Sequence, residues 1–195
     1  MHDRWPDFAI TLESGESDRV NDVIDEIGDM SLDERIELFD VCFDELTQLY
    51  EDANDGYVRQ SLVRVADQLV PGLPTVMALD NNDRSIGADE AAIRDQTDAL
   101  CGFLLAALTD DDGRVRQAAK RGLKDVFRTY DALDDEETLD ALAVELDEMA
   151  AEASGTQAKH IREAKDEATF ALQSGIARLV EGFQDEFGDS IQEDM

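Results

Sequence analysis

Apolar residues recur along this chain every three or four positions, and almost nowhere in strict alternation. That period belongs to helices with one buried stripe. Ser17 to Gly28 places Val20, Val23, Ile24 and Ile27 on one face. Ser31-Leu-Asp-Glu34 reads as a capping box, in which the Ser hydroxyl accepts an orphan amide and the Glu returns the bond. The helix it opens carries Phe39, Cys42, Phe43, Leu46, Leu49 and Tyr50 to about Asp52. Asn54-Asp55-Gly56 is a turn. The next helix, with Val58, Leu62, Val65, Ala66 and Leu69, is expected to stop at Pro71-Gly-Leu-Pro74, because proline removes a donor from the ladder.

Thr75 to Gly87 is less regular, with room for a short helix around Val76 to Leu79 and a loop after it. Regular spacing returns at about Asp89 and runs to Thr109, with Ala92, Ala99, Leu100, Phe103, Leu104 and Leu108 inward. Asp110-Asp-Asp-Gly113 interrupts it. Arg114 to about Ala132 buries Val115, Ala119, Leu123, Val126 and Phe127. Asp134 or Asp135 caps a helix with Leu139, Leu142, Leu146 and Met149. After Ser154-Gly155-Thr156, a long helix extends from about Gln157 to Phe187, with Gly175 a candidate kink. Residues 1–16 and 188–195 read as frayed ends around a single helical domain, 17–187. Trp5 reads as a local hydrophobic anchor.

Charge changes the picture of the surface. The formal charge is −31, from 48 acidic and 17 basic residues. Asp (30) outnumbers Glu (18), and Arg (13) outnumbers Lys (4). This balance resembles that of cytosolic proteins from extreme halophiles. At about 1 M salt the screening length falls to about 3 Å, and dispersed surface carboxylates cease to repel strongly. Few lysines leave few long apolar stems on the surface. The expectation is a cytoplasmic protein adapted to brine, with potassium and other cations as diffuse counterions. The longest apolar run, Ala99 to Leu108, is too short to cross a bilayer, and Met1 to Pro6 has no secretory pattern. No membrane association is expected. Global charge says little about partners in such a cell, so local sign carries the argument.

The chain repeats itself. Asp55-Gly-Tyr-Val58-Arg59-Gln60-Ser-Leu-Val-Arg64 matches Asp112-Gly-Arg-Val115-Arg116-Gln117-Ala-Ala-Lys-Arg121 at six of ten positions, 57 residues apart. The preceding helices align apolar on apolar: Phe43 with Leu100, Leu46 with Phe103, Leu49 with Ala106. A weaker third copy centres on Ile161-Arg162, 46 residues past Val115-Arg116, with Ser-Gly where the Asp turn stood. Helix pairs repeating every 40 to 47 residues signal an α-solenoid, and the irregular insert after Pro71 accounts for the longer first spacing. Ala99 to Phe127, with Leu104-Leu105, Leu108, the Asp turn, Val115-Arg116 and Ala118-Ala119, resembles a HEAT repeat. The resemblance implies an all-α fold, a short stack of helical hairpins with about seven or eight helices. It also implies that Arg59 and Arg116 pair with turn aspartates, Asp52, Asp55, Asp110 and Asp112 being at hand. It implies no single chemistry, since such scaffolds bind other macromolecules.

One local patch opposes the global sign. Arg114, Arg116, Lys120, Arg121, Lys124 and Arg128 are six of the 17 basic residues, within one helix. They are the candidate partner- or anion-binding residues. Arg116, Lys120 and Lys124 line one face, and Arg114, Arg121 and Arg128 a neighbouring one. The segment Ala132 to Gly155 has nine acids and no base, so pairing within the chain is expected first, ahead of a protein partner or nucleic acid. Aromatic residues for base stacking are few there.

Chemistry-bearing motifs are scarce. His2 and His160 stand far apart, and no Cys-x-x-Cys or His-x-x-x-His spacing occurs. Asp80-Asn-Asn-Asp-Arg-Ser-Ile-Gly resembles a calcium loop faintly, with Arg84 at a ligand position. Phosphate-cradling and nucleophile-elbow motifs are missing. Exposed acid pairs such as Asp134/Asp135 keep ordinary acidity and do no proton transfer. The sequence therefore predicts no enzyme, cofactor or bound metal. It predicts a scaffold or adaptor for a protein partner or a second copy of itself; the apolar stripe Leu172 to Phe187 reads first as core packing and second as a candidate for docking or homodimerisation. Nucleic-acid binding through the helix 114–128 is the alternative.

Overall fold

A computed structural model describes residues 4–70 and 90–188. Side chains are described for 4–70 and 91–173. Eight helices and no strand occur among the described residues: α1 (Trp5–Ser14), α2 (Ser17–Gly28), α3 (Leu32–Asp52), α4 (Gly56–Leu69), α5 (Glu90–Ala107), α6 (Gly113–Ala132), α7 (Glu136–Glu152) and α8 (Gly155–Gly188). The all-α, hairpin-built class expected from the apolar period is the observed one.

Local chemistry starts the helices where the sequence indicates. Ser31 and Glu34 form the reciprocal capping box of α3. Asp55, Asp112 and Asp135 each accept an amide at the start of α4, α6 and α7. Gly15, at φ 67°, closes α1 in the left-handed conformation that glycine adopts at least cost.

Consecutive helices pair as hairpins, α1/α2, α3/α4, α5/α6 and α7/α8. The second helices also form a row: α2 packs on α4, α4 on α6 and α6 on α8. The first helices touch less: α1 meets α3, and α3 meets α5. A single apolar seam runs between the rows, from Trp5 and Leu12 through Leu46, Leu62, Leu104, Val115 and Leu123 to Leu146 and Ile161. Burying each large aliphatic there contributes about 1.5–3 kcal/mol. Aromatic rings bind α3 to α5: Phe43 and Tyr50 meet the edge or face of Phe103 at 5.9 and 5.1 Å. Buried hydroxyls are satisfied within their own helices, Ser61 on Tyr57 O, Thr97 on Ile93 O and Thr129 on Asp125 O. Val115 is fully buried, and Val58 is partly buried against the seam.

Packing corrects two expectations. Residues 5–14 are not frayed: they form α1, and Trp5, Phe8, Ala9 and Leu12 bury a stripe at i, i+3, i+4 and i+7. Pro6 stands at the first helical turn, where its missing donor costs nothing. Ala99 is exposed, and the inward face of α5 carries Ile93, Gln96 and Thr97 instead. Gln96 can lie inside because its amide donates to Ile36 O and Asp40 Oδ1 on α3. Pro71 to Gly87, with the irregular stretch and the faint calcium loop, lies outside the described residues, as does 189–195. Helix α8 runs unbroken past Gly175, and the side chains of Ile176, Leu179, Phe183 and Phe187 lie outside those described.

Candidate partner-binding face

Helix α6 sits between α4 and α8, so the direction of each basic side chain depends on which neighbour it meets. Arg114, at the exposed N-terminal end, folds back onto Asp112 at 2.7 Å. The guanidinium and amide of Arg114 hold the Asp112 carboxyl down at about 2. Arg116 points into the turn and is buried. Arg128, at the far end, meets Asp125 at 3.1 Å in an exposed pair worth little in water.

Lys120 and Lys124 face α8. Lys120 Nζ donates to Glu163 Oε2 at 2.5 Å, and Lys124 Nζ to Glu167 Oε1 at 2.9 Å. The Lys120 bond, aided by its charge, lowers the Glu163 pKa. This corrects the expectation that Ala132 to Gly155 would neutralise the basic helix. Helix α7 carries the acids but packs chiefly on α8, and its Asp147 pairs with Lys165 of that helix. The i, i+4 spacing of Lys120 and Lys124 is matched by the i, i+4 spacing of Glu163 and Glu167, and this match sets the register of α6 on α8.

Those two ion pairs form the floor of an open groove of about 690 Å³. Gln117 and Arg121 line it from α6, Asp166 and Phe170 from α8. Arg121 is exposed and has no ion pair among the described residues. Phe170 is 66% exposed, the most exposed large apolar side chain described. Sequence reading missed Glu163, Glu167 and Phe170. The shared i, i+4 spacing was the signal for the first two; nothing in the sequence marked Phe170 as outward.

The repeat arginines take a different part. Arg59 grips Asp110 through two bonds, Nε to Oδ2 at 2.8 Å and Nη2 to Oδ1 at 3.0 Å. Its Nη1 reaches Ala53 O, six residues back, and its Nη2 also meets Asp111. Of the four aspartates at hand, Asp110 is the one so held. Asp110 accepts further from Tyr50 Oη at 2.7 Å and from the Asp112 amide. Arg116 departs from the expected pairing with a turn aspartate: among the described residues it holds no carboxylate, and its Nη1 bonds the carbonyls of Asp110, six residues back, at 2.6 Å and Asp111 at 2.9 Å, because the turn folds its backbone onto the guanidinium.

Other titratable groups offer little chemistry. Burial pushes the Cys42 and Cys101 thiols up to about 12, far from the thiolate a nucleophile needs. Asp67, on α4 against α6, is pushed up to about 7 by burial and by Asp125. It is not a lining residue of the groove. No cluster of three or more metal-ligating side chains and no helix long and apolar enough to cross a membrane occurs among the described residues. Family models, curated proteins and solved structures yield no match to this chain.

Proposed function

We propose that this chain is a non-enzymatic helical-repeat scaffold of the HEAT type, working in a high-salt cytoplasm, which binds a protein partner along the α6/α8 groove. One observation carries the reading. Among the described residues, Arg121 stands without an ion pair in a groove whose two lysines are neutralised, on a protein of charge −31. An acidic side chain of a partner meets there a guanidinium that is not held in an internal ion pair among the described residues. Phe170 adds exposed apolar surface beside it. The pairing of Lys120 and Lys124 with glutamates weakens the nucleic-acid alternative, because a phosphate backbone would have to displace both acids.

Site-specific photo-crosslinking in molar potassium chloride tests this. A crosslinker replacing Arg121 is expected to capture a protein, and one replacing Val144, on the outer face of α7, is not. Adducts from position 144 alone would overturn the placement. Nucleic acid captured at position 121 would favour the alternative, and a captured second copy would make the partner the chain itself.

A further inference from the structure

Arg59 and Arg116 occupy the same register of two successive units, yet their guanidinium groups end differently. In both, Nη1 bonds the carbonyl six residues back, Ala53 O and Asp110 O. The two groups are therefore aimed alike, with the Nε/Nη2 edge towards the following unit. For Arg59 that edge meets the Asp110 carboxylate, which accepts from Nε and Nη2 together. For Arg116 the following unit begins 46 residues on, and the residue in the register of Asp110 is Thr156. Its hydroxyl takes Nη2 at 3.2 Å, and Nε is buried with no acceptor among the described residues.

A charged donor left unbonded in the interior costs more than a neutral one. Arg116 is only 8% exposed, so bulk water does not satisfy it. Three further features converge on the spot. Helix α8 begins at Gly155, which brings the positive end of its dipole there. His160, one turn later, has a buried Nδ1 with no partner. Arg116 and Lys120 both act on that ring, joining burial in lowering its pKa. Thr156 itself is exposed, so the approach from solvent lies at the surface.

We propose that the Nε/Nη2 edge of Arg116, with Thr156 Oγ1 and the first turn of α8, binds one small monovalent anion, taking the place that the Asp110 carboxylate takes against Arg59. The ligand class is a small carboxylate or a halide: one negative charge, compact enough to share Nε and Nη2. The anion joins α6 to α8 as the Asp110 side chain joins α4 to the turn before α6. The third unit has thereby exchanged a built-in acid for an exchangeable one. This site is separate from the groove, and either proposal stands if the other falls.

The test uses the full chain in about 1 M sodium sulfate, whose strongly hydrated dianion is excluded from protein surfaces. Potassium formate and potassium chloride are titrated separately while the Arg116 Nε–H resonance and the His160 ring are followed by NMR. A saturable shift of Arg116 Nε–H, with a rise in the His160 pKa, is expected. Tighter formate than chloride would show that the two-oxygen shape is read; the reverse would show that charge and size suffice. Thr156→Asp restores the acid of the preceding unit. It is expected to shift the same resonance without added anion, abolish the titration and raise the melting temperature by about 3–5 °C. Absence of a saturable shift with either anion would overturn the proposal. So would a Thr156→Asp variant that still titrates like the parent.

Discussion

Gly56 and Asp112 are in contact across successive units: a Cβ built on residue 56 would lie 2.0 Å from Asp112 Oδ2 and 2.6 Å from Asp112 Cγ. The Asp112 side chain is short and pinned by the Arg114 amide and guanidinium, so it has little room to yield. Gly56→Ala is therefore expected to destabilise the fold by about 1–3 kcal/mol through overpacking. Gly102, exposed on α5 with nothing within 4 Å of its Cβ position, is the control. There Ala replaces Gly inside a helix, and a gain of about 0.5–1 kcal/mol is expected. Thermal melts of both variants check the contrast. Equal effects would show that residue 56 is not a contact point between units.

Arg59 and Asp110 tie the first repeated unit to the second with side chains 15% and 6% exposed. Burial alone would raise the Asp110 pKa, but Arg59, the Asp112 amide and the Tyr50 hydroxyl outweigh it and lower it. The sign follows from linkage. A carboxyl with a depressed folded-state pKa contributes stability above its unfolded value near 4, and that contribution is lost as pH falls through the folded-state value. The parent should thus lose stability below about pH 4. Asp110→Asn should lose part of that dependence and cost about 2–4 kcal/mol at neutral pH, because Arg59 keeps its charge without its partner. Chemical denaturation at pH 3 to 7 measures both. An Asp110→Asn variant as stable as the parent would remove this tie from the account.

Asp67 behaves in the opposite direction. Its folded-state pKa is raised to about 7 by burial and by Asp125, above the ordinary 3.8. Ionising it in the folded state opposes folding, so stability should fall as pH rises from about 4 and level off above about 7. Gly122 sets this geometry: a Cβ there would lie 3.1 Å from Asp67 Oδ1 and 2.8 Å from Leu104 Cδ1. Asp67→Asn is expected to remove the slope and to stabilise the protein at pH 8 by about 1–3 kcal/mol. A parent melting temperature that stays flat between pH 5 and 8 would show that Asp67 is ionised throughout.

Sequence and structure agree where a local interaction decides the outcome. The Ser31/Glu34 box, the Asp55 and Asp112 caps and the stripe from Val20 to Ile27 need only their own few residues. Disagreement begins where a partner from another element decides. Trp5 to Leu12 carries a helical stripe but is short and lies near the chain start, and packing against α2, α3 and α4 makes it a helix. Gln96 sits inside because Asp40 and Ile36 O await it, which no spacing within α5 reveals. The basic helix is conspicuous in the sequence, but charge alone points to the most acidic segment, whereas its lysines meet the segment of matching period. Charge density identifies candidates; register selects among them, as Glu163 and Glu167 do for Lys120 and Lys124.

Salt should govern the stability of the whole molecule. Many of the acids lie on exposed helix faces, such as Glu137, Asp140, Glu145 and Glu148 on α7, a helix that carries no basic residue. At low ionic strength their fields extend about 10 Å or more and oppose compaction; in molar salt they reach about 3 Å. The ion pairs that hold units together are less screened, since Arg59 and Asp110 are largely buried. Raising potassium chloride therefore weakens repulsion more than attraction. Circular dichroism between 3 M and 0.1 M potassium chloride should show helicity and melting temperature falling together at the low end. Arg59→Lys, which keeps the charge but loses the two-bond grip, should unfold at a higher salt concentration than the parent. Helicity and melting temperature unchanged across the range would mean that the acidic surface was not selected for brine.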